Sequence, residues 1–202
     1  MNNNLYEVSK GPENLKFHKT LYVIFEILKY LNIIVVALAL ILAVSISNTF
    51  FIVVALFAGS WLLAWWVGSK FYNFYDYCYV DGSVRIIKVV HNRSRRLVLN
   101  FDAKNINSYG LVDGETYAKF IKDKSVKKLY ATPDGLTTED IAIHLTSNGI
   151  DYLLLIKYDE TFMATLMRNT GVRKLDKSFI EKVINYKEDY TLWQTQTQQL
   201  YY

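Results

Sequence analysis

Cysteine is almost absent. Cys78 stands alone in 202 residues, so the chain can form no disulfide within itself and no thiolate metal site of its own. Histidine is nearly as scarce: His18, His91 and His144 are scattered, with no pair at metal-ligand spacing, and no metal is expected. No glycine-rich motif that could cradle a nucleotide occurs, so no cofactor is expected. Glu139 and Asp140 are neighbours in a loop and offer no acid–base geometry. His144 lies within the strand-like "IAIHLT" and Cys78 within "YCY", and both read as structural residues. An enzyme is therefore not expected. A strong charge surplus is missing too. The net charge is only +4, which does not suggest a nucleic-acid partner.

Charge is also missing in two particular places. The first is Leu31–Gly68, which contains no charged residue. "LNIIVVALALILAVSI", extended on its N-terminal side by "LYVIFEILKY", gives an apolar stretch from Leu21 to Val44. "FFIVVALFAGSWLLAWWVG" gives a second from Phe50. About 20 helical residues cross the hydrocarbon layer, and both stretches are near that length. Only "SISNT" separates them, so an antiparallel transmembrane hairpin is expected over residues 21–68, with spans of about 21–44 and 50–67. A cleaved leader is disfavoured by the long segment before the first apolar run and by the second span close behind it. Glu26 and Lys29 share a helical face and can pair near the headgroups. Trp65, Trp66 and Lys70 are the expected interface anchors. Gly59 and Ser60 would permit close helix contact. Lys10, Lys16 and Lys19 precede the hairpin, many cations follow it, and the connecting loop has none. The bias towards cytoplasmic cations predicts a two-pass protein of the cell membrane with both termini in the cytoplasm.

Residues 1–20 read as a juxtamembrane segment. "MNNNLYEVSK" is polar and expected to be mobile, and Asn14 is a candidate helix cap after Pro12. After the hairpin, only Gly68, Ser69 and Lys70 precede the next patterned segment, so the following domain is expected close to the membrane. That domain, residues 71–170, reads as β structure. "FYNFYDYCYV", "VRIIKVV" and "RLVLNF" are strands separated by the turns "DGS" and "HNRSRR", with Leu97, Leu99 and Phe101 on one face. Short strands follow near Tyr109–Val112 and "KKLYATPDG". "IAIHLTSNGIDYLLLIKY" is a hairpin around Asn148-Gly149, the dipeptide suited to a type I′ turn. "DETFMATLMRNTG" is an amphipathic helix capped by Asp159, with Phe162, Met163, Leu166 and Met167 inward. The fold class is thus α+β: a membrane hairpin, then an antiparallel β-sandwich or barrel closed by one helix. Residues 176–202 add a terminal amphipathic helix and a polar tail. Phe179, Val183, Tyr186, Tyr190 and Trp193 form its seam, offered either to the domain or to a second copy in a homo-oligomer.

A run of antiparallel strands finished by one amphipathic helix resembles the pleckstrin-homology-like domain. The residues that carry the likeness are "YVDGSVRIIKVVHNRSRRLVLNFDAKNINSYG" and "IHLTSNGIDYLLLIKYDETFMATLM". With the hairpin in front, the whole is similar to bacterial membrane proteins bearing such domains. The resemblance implies that the helix plugs one end of a bent sandwich and leaves loops free for ligands. It also implies a basic motif across the first turn in members that bind inositol phosphates. Here that turn is "DGS", carrying Asp81, and only Arg85 and Lys88 lie on the next strand. Specific inositol-phosphate binding is not expected.

The second place without acids is the stretch between Asp81 and Asp102, which holds Arg85, Lys88, Arg93, Arg95 and Arg96. These could face anionic lipid headgroups, an acidic partner protein or only water. A second cluster, Lys119, Lys122, Lys124, Lys127 and Lys128, encloses one acid, Asp123. The expected function is that of a non-enzymatic membrane-anchored binding or scaffolding protein. Its cytoplasmic domain would contact an unidentified protein or peptide and anionic headgroups at the five cations. The alternative is an accessory subunit of a larger membrane complex, recognised through its hairpin.

Overall fold

The computed structural model describes residues 5–170, 174–177 and 179. They fall into two units. One is helical and comprises Gly11–Phe74 with Val89–Arg96. The other is β-rich and comprises the chain up to Lys10, Tyr75–Lys88, and the chain from Leu97 onward.

The helical unit holds α1 (Leu15–Ser45) and α2 (Phe50–Gly68). Asn14 starts α1: its side-chain oxygen accepts from the Phe17 amide at 3.1 Å, satisfying one of the otherwise orphaned first-turn donors. The helices meet along their small residues. Ala39, Ala43, Ala64 and Gly68 are buried, and a Cβ on Gly68 would stand 3.0 Å from the Phe25 Cβ. Asn32 is buried too and donates to the Ser60 hydroxyl at 3.2 Å across the pair. Gly59 has open space around it. The large side chains point outward: Leu38, Ile41, Val44, Ile52, Leu56 and Leu63 are all exposed. Both helices are long and apolar enough to cross a membrane.

The β-rich unit is built on two four-stranded sheets. One runs β1 (Leu5–Lys10), β2 (Asn73–Val80), β3 (Ser83–Val90) and β4 (Ser94–Asp102) in spatial order. The other runs β5 (Ile106–Leu111), β7 (Ile141–Ser147), β8 (Ile150–Ile156) and β6 (Lys127–Ala131). Three two-residue turns have both central residues at positive φ: Asp81-Gly82, His91-Asn92 and Asn148-Gly149. Such backbones match the twist of the strands they join. Tyr77, Tyr79, Ile86, Tyr109, Ile143 and Leu154 fill the core and are almost wholly buried. The Tyr77 hydroxyl donates to the Ala131 carbonyl at 2.7 Å and accepts from the Lys157 amide at 3.0 Å. Burial pushes that phenol far above its ordinary pKa. Helix α4 (Glu160–Thr170) starts on Asp159, which accepts from the Phe162 amide at 2.8 Å, and it buries Phe162, Met163 and Leu166.

Several expectations are corrected. Leu5–Lys10 is an edge strand and not a mobile arm. It pairs antiparallel with β2 from Leu5↔Val80 to Lys10↔Tyr75, so residues 1–20 do not form one juxtamembrane segment. Its polar residues alternate with Tyr6 and Val8, which pack on the core. A short helix, α3 (Glu115–Phe120), lies where no element was foreseen. Strand β6 runs parallel to β8, so the strands are not all antiparallel. Leu97 is 62% exposed, and only Leu99 and Phe101 of the expected triplet reach the core. The turn after β3 is shorter than "HNRSRR", because Ser94, Arg95 and Arg96 already belong to β4. The seam from Val183 to Trp193 lies outside the described residues.

Candidate membrane-interface site

An aromatic collar surrounds one end of the helical pair. It begins where α2 stops. Asn73 is buried, and its side-chain nitrogen donates to the carbonyls of Ser69 and Lys70 at 3.1 and 2.9 Å. The Ser69 hydroxyl donates to the Trp66 carbonyl at 2.7 Å. Together they satisfy carbonyls that the helix end leaves open. The Lys70 ammonium sits 3.5 Å from the centre of the Trp66 ring. Phe71 stacks on Phe25 at 5.8 Å, nearly parallel, and Tyr72 stacks on Tyr22 at 5.9 Å. Tyr72 has φ +59, a conformation costly for a bulky residue.

The basic turn joins this collar. The His91 ring stacks on Tyr22 with centroids 4.2 Å apart, and its amide donates to the Tyr72 carbonyl at 3.1 Å. Burial pushes the His91 pKa below its ordinary value, against the pull of the Gly68 carbonyl, which accepts from the ring. Its Nε2 is buried without a hydrogen-bond partner among the described residues. The imidazole is therefore neutral at pH 7 and acts as a packed, half-polar wedge. His91 also carries φ +52, the conformation a two-residue turn of this kind requires, and the stack on Tyr22 adds to what holds it there. Arg93, Arg95 and Arg96 follow immediately and are exposed.

Charge is distributed unevenly in the helical unit. It contains seven cations (Lys16, Lys19, Lys29, Lys70, Arg93, Arg95 and Arg96) against Glu13 and Glu26. Glu26 is bonded to Lys29 at 2.6 Å. All of these lie towards the collar end, while the Ser45–Thr49 loop has none. Phe25 and Gly68 touch, and Tyr22 is one helical turn nearer the N-terminus, about 5 Å further along the axis. The basic turn docks at that level. Of the five foreseen contact residues, three (Arg93, Arg95, Arg96) belong to this unit with Trp65, Trp66 and Lys70. Arg85 and Lys88 belong to the β-rich unit, on strand faces of opposite parity, and Lys88 lies over the Tyr75 ring at 5.8 Å. The sequence reading missed Tyr22, Phe71, Tyr72 and His91 as one cluster. The signal available was the density of aromatics just after the second apolar run.

His144 stacks on Phe120 at 3.8 Å, and Asp140 is buried and accepts from the Thr137 amide at 2.8 Å. Among the described residues no group of three or more metal-ligating side chains converges. An open pocket beside the Asp81-Gly82 turn is lined by Asp81, Asp102, Lys104 and Asn169, a mixture that does not favour a phosphate.

Two apolar helices and a β-rich unit of two sheets are consistent with a PH-like fold. Residues 19–175 match the family described as Bacterial PH-like domain (DUF6106), and the chain belongs to that family. No curated protein and no solved structure matches it. Strand β1 lies outside the matched stretch. A PH-like domain indicates a binding or scaffolding role in general, and the two helices indicate membrane association.

Proposed function

We propose that this protein is a two-pass, membrane-anchored binding module of the cytoplasmic leaflet, not an enzyme. Its basic turn lies among anionic headgroups, and its PH-like domain holds a protein or peptide partner. One observation carries the headgroup reading: the turn bearing Arg93, Arg95 and Arg96 is stacked on Tyr22, just outside the level where α1 and α2 meet at Gly68. If both helices cross the bilayer, that level is the edge of the hydrocarbon, and Trp65, Trp66 and Lys70 occupy the belt where indoles and cations are favoured. Each cation near an anionic leaflet contributes about 1 kcal/mol, so three arginines supply about 3 kcal/mol.

The two-pass topology has separate support. Strands β1 and β2 flank the helical pair in sequence yet are hydrogen-bonded neighbours in one sheet. A chain that crosses a membrane after Lys10 must cross back before Tyr75. The surplus of cations at the collar end favours the cytoplasm for both termini.

Trypsin cleavage tests the headgroup reading. The full chain is placed in nanodiscs, which expose both faces, made of phosphatidylcholine alone or with phosphatidylserine. Cleavage after Arg93, Arg95 and Arg96 is followed by mass spectrometry. At least tenfold slower cleavage is expected in the anionic discs, with the difference abolished at high salt. Equal rates in the two lipids at low salt would rule the reading out.

A further inference from the structure

The second lysine cluster sits on an open sheet edge. Strand β6 is the last strand of its sheet and pairs only with β8, from Lys127↔Tyr152 to Ala131↔Ile156. Among the described residues nothing pairs with its other side. Lys119 on α3 and Lys122 and Lys124 in the loop before β6 are exposed, as is Lys127 on the strand. The Lys128 ammonium is held by the Asp123 carbonyl. Asp123 is the one acid in this run, and its carboxylate accepts from the amide and hydroxyl of Ser125 at 2.9 and 2.7 Å. None of Lys119, Lys122 and Lys124 pairs with a carboxylate among the described residues. At the other end of β6, Tyr130 is 53% exposed.

A lysine on an edge strand discourages accidental pairing. That explains Lys127 but not the three lysines off the strand. Those do not block the ladder; they set up a positive field at its approach. The open edge is five residues long, about 17 Å, with alternate residues turning their backbone groups outward, and the Ala131 carbonyl is already taken by the Tyr77 hydroxyl. Lipid headgroups and nucleic acid can use the charge but cannot continue a main-chain ladder. An acidic polypeptide can use both.

We propose that the outer edge of β6, with Lys119, Lys122, Lys124 and Lys127, receives an acidic extended segment of a partner protein as an added strand. Acidic side chains of the segment meet the lysines, and an apolar one covers Tyr130. The inference rests on reading the PH-like unit as a binding module and names the surface it would use.

The test uses the full chain in phosphatidylcholine nanodiscs, where the basic turn has no anionic lipid. The probe is a fluorescent ten-residue peptide alternating glutamate and valine, followed by anisotropy. Two further probes carry N-methyl groups on the odd or the even amides. The parent peptide should bind, and the combined Lys122→Glu, Lys124→Glu and Lys127→Glu variant should weaken it at least tenfold. One methylated series should also bind at least tenfold more weakly, because its amides face the edge. The Arg93→Glu, Arg95→Glu, Arg96→Glu variant should bind the peptide normally, which separates this surface from the collar. The proposal is overturned if neither methylated series differs from the parent, since charge alone would then explain binding. It is equally overturned if a lysine–valine peptide binds as well. A lysine variant that loses attachment to phosphatidylserine vesicles or RNA but keeps the peptide would also overturn it.

Discussion

Removing the Asp159 carboxylate should release strand β1. Asp159 accepts from the Lys10 ammonium at 2.7 Å, the Tyr6 hydroxyl at 2.8 Å and the Phe162 amide at 2.8 Å. The same group therefore caps α4 and anchors a strand more than 140 residues away in sequence. Asp159→Ala removes the cap, worth about 1 kcal/mol. It also removes two charge-assisted contacts that are partly open to solvent, worth about 1–2 kcal/mol together. The cap term acts on α4; the two β1 contacts alone, about 1–2 kcal/mol, correspond to roughly 5- to 30-fold faster opening of the strand. Asp159→Asn keeps an acceptor for the cap and should cost only about 1 kcal/mol. Hydrogen exchange at the Leu5–Lys10 amides, read against β7 as an internal reference, measures the difference. The charge predicts a pH dependence as well. Burial alone would raise the Asp159 pKa, but Lys10, the Phe162 amide and Tyr6 outweigh it and hold the carboxyl below its ordinary value. A depressed carboxyl contributes fully above its unfolded pKa, and the contribution is lost as pH falls through the folded one. Protection of β1 should thus decline below about pH 4 in the parent and stay flat in Asp159→Asn. If Asp159→Ala frays α4 but leaves β1 exchange within about twofold, the backbone ladder alone holds the strand, and the anchoring argument fails.

Tyr22→Ala should free the basic turn in neutral lipid, with trypsin cleavage after Arg93 about tenfold faster, consistent with losing about 1–2 kcal/mol of half-exposed aromatic stacking. Unchanged cleavage would mean that Tyr22 does not hold the turn. His91 is less basic when docked than when free, so docking should weaken as pH falls below about 6.5; NMR titration of the ring in the parent and in Tyr22→Ala checks the sign. Asn32→Leu should cost no more than about 1 kcal/mol of hairpin stability in detergent unfolding, because polar bonds between membrane helices are individually weak. A loss above about 3 kcal/mol would mean that the Asn32–Ser60 contact matters more than its 3.2 Å geometry suggests.

The helical pair and most strands were legible because their signals are local. Uncharged length marks α1 and α2, and the three turns carry residues that tolerate positive φ. Asn14 and Asp159 were readable as caps because an acceptor before an apolar run has few other uses. What failed depends on partners distant in sequence. Leu5–Lys10 brings only two apolar side chains, Tyr6 and Val8, to the core, since Leu5 is exposed, and it becomes a strand because β2 offers it an edge. The direction of β6 is fixed by α3 and the loop that precede it, and a six-residue helix leaves little periodicity to find. The basic residues looked like one patch because charge was counted along the chain. A strand sends neighbours to opposite faces, and the turn that carries Arg93 is docked by a tyrosine nearly 70 positions earlier.

The position of β1 before the hairpin links the two units energetically. Lys10 pairs with Tyr75, so closing this part of the sheet encloses the whole of Gly11–Phe74. Closure entropy grows by about 0.6 kcal/mol for each doubling of loop length. When α1 and α2 are packed, the freely moving chain shrinks from about 64 residues to about 8, three doublings. The packed hairpin should therefore favour β1 pairing by about 2 kcal/mol without touching it. Gly68→Leu tests this, because its Cβ alone would meet Phe25 at 3.0 Å and the larger side chain must part the helices. The β1 amides should then exchange roughly 30-fold faster while β7 and β8 keep their protection. Unchanged exchange at Leu5–Lys10, in a variant whose helices have demonstrably separated, would show that the strand forms independently of the hairpin.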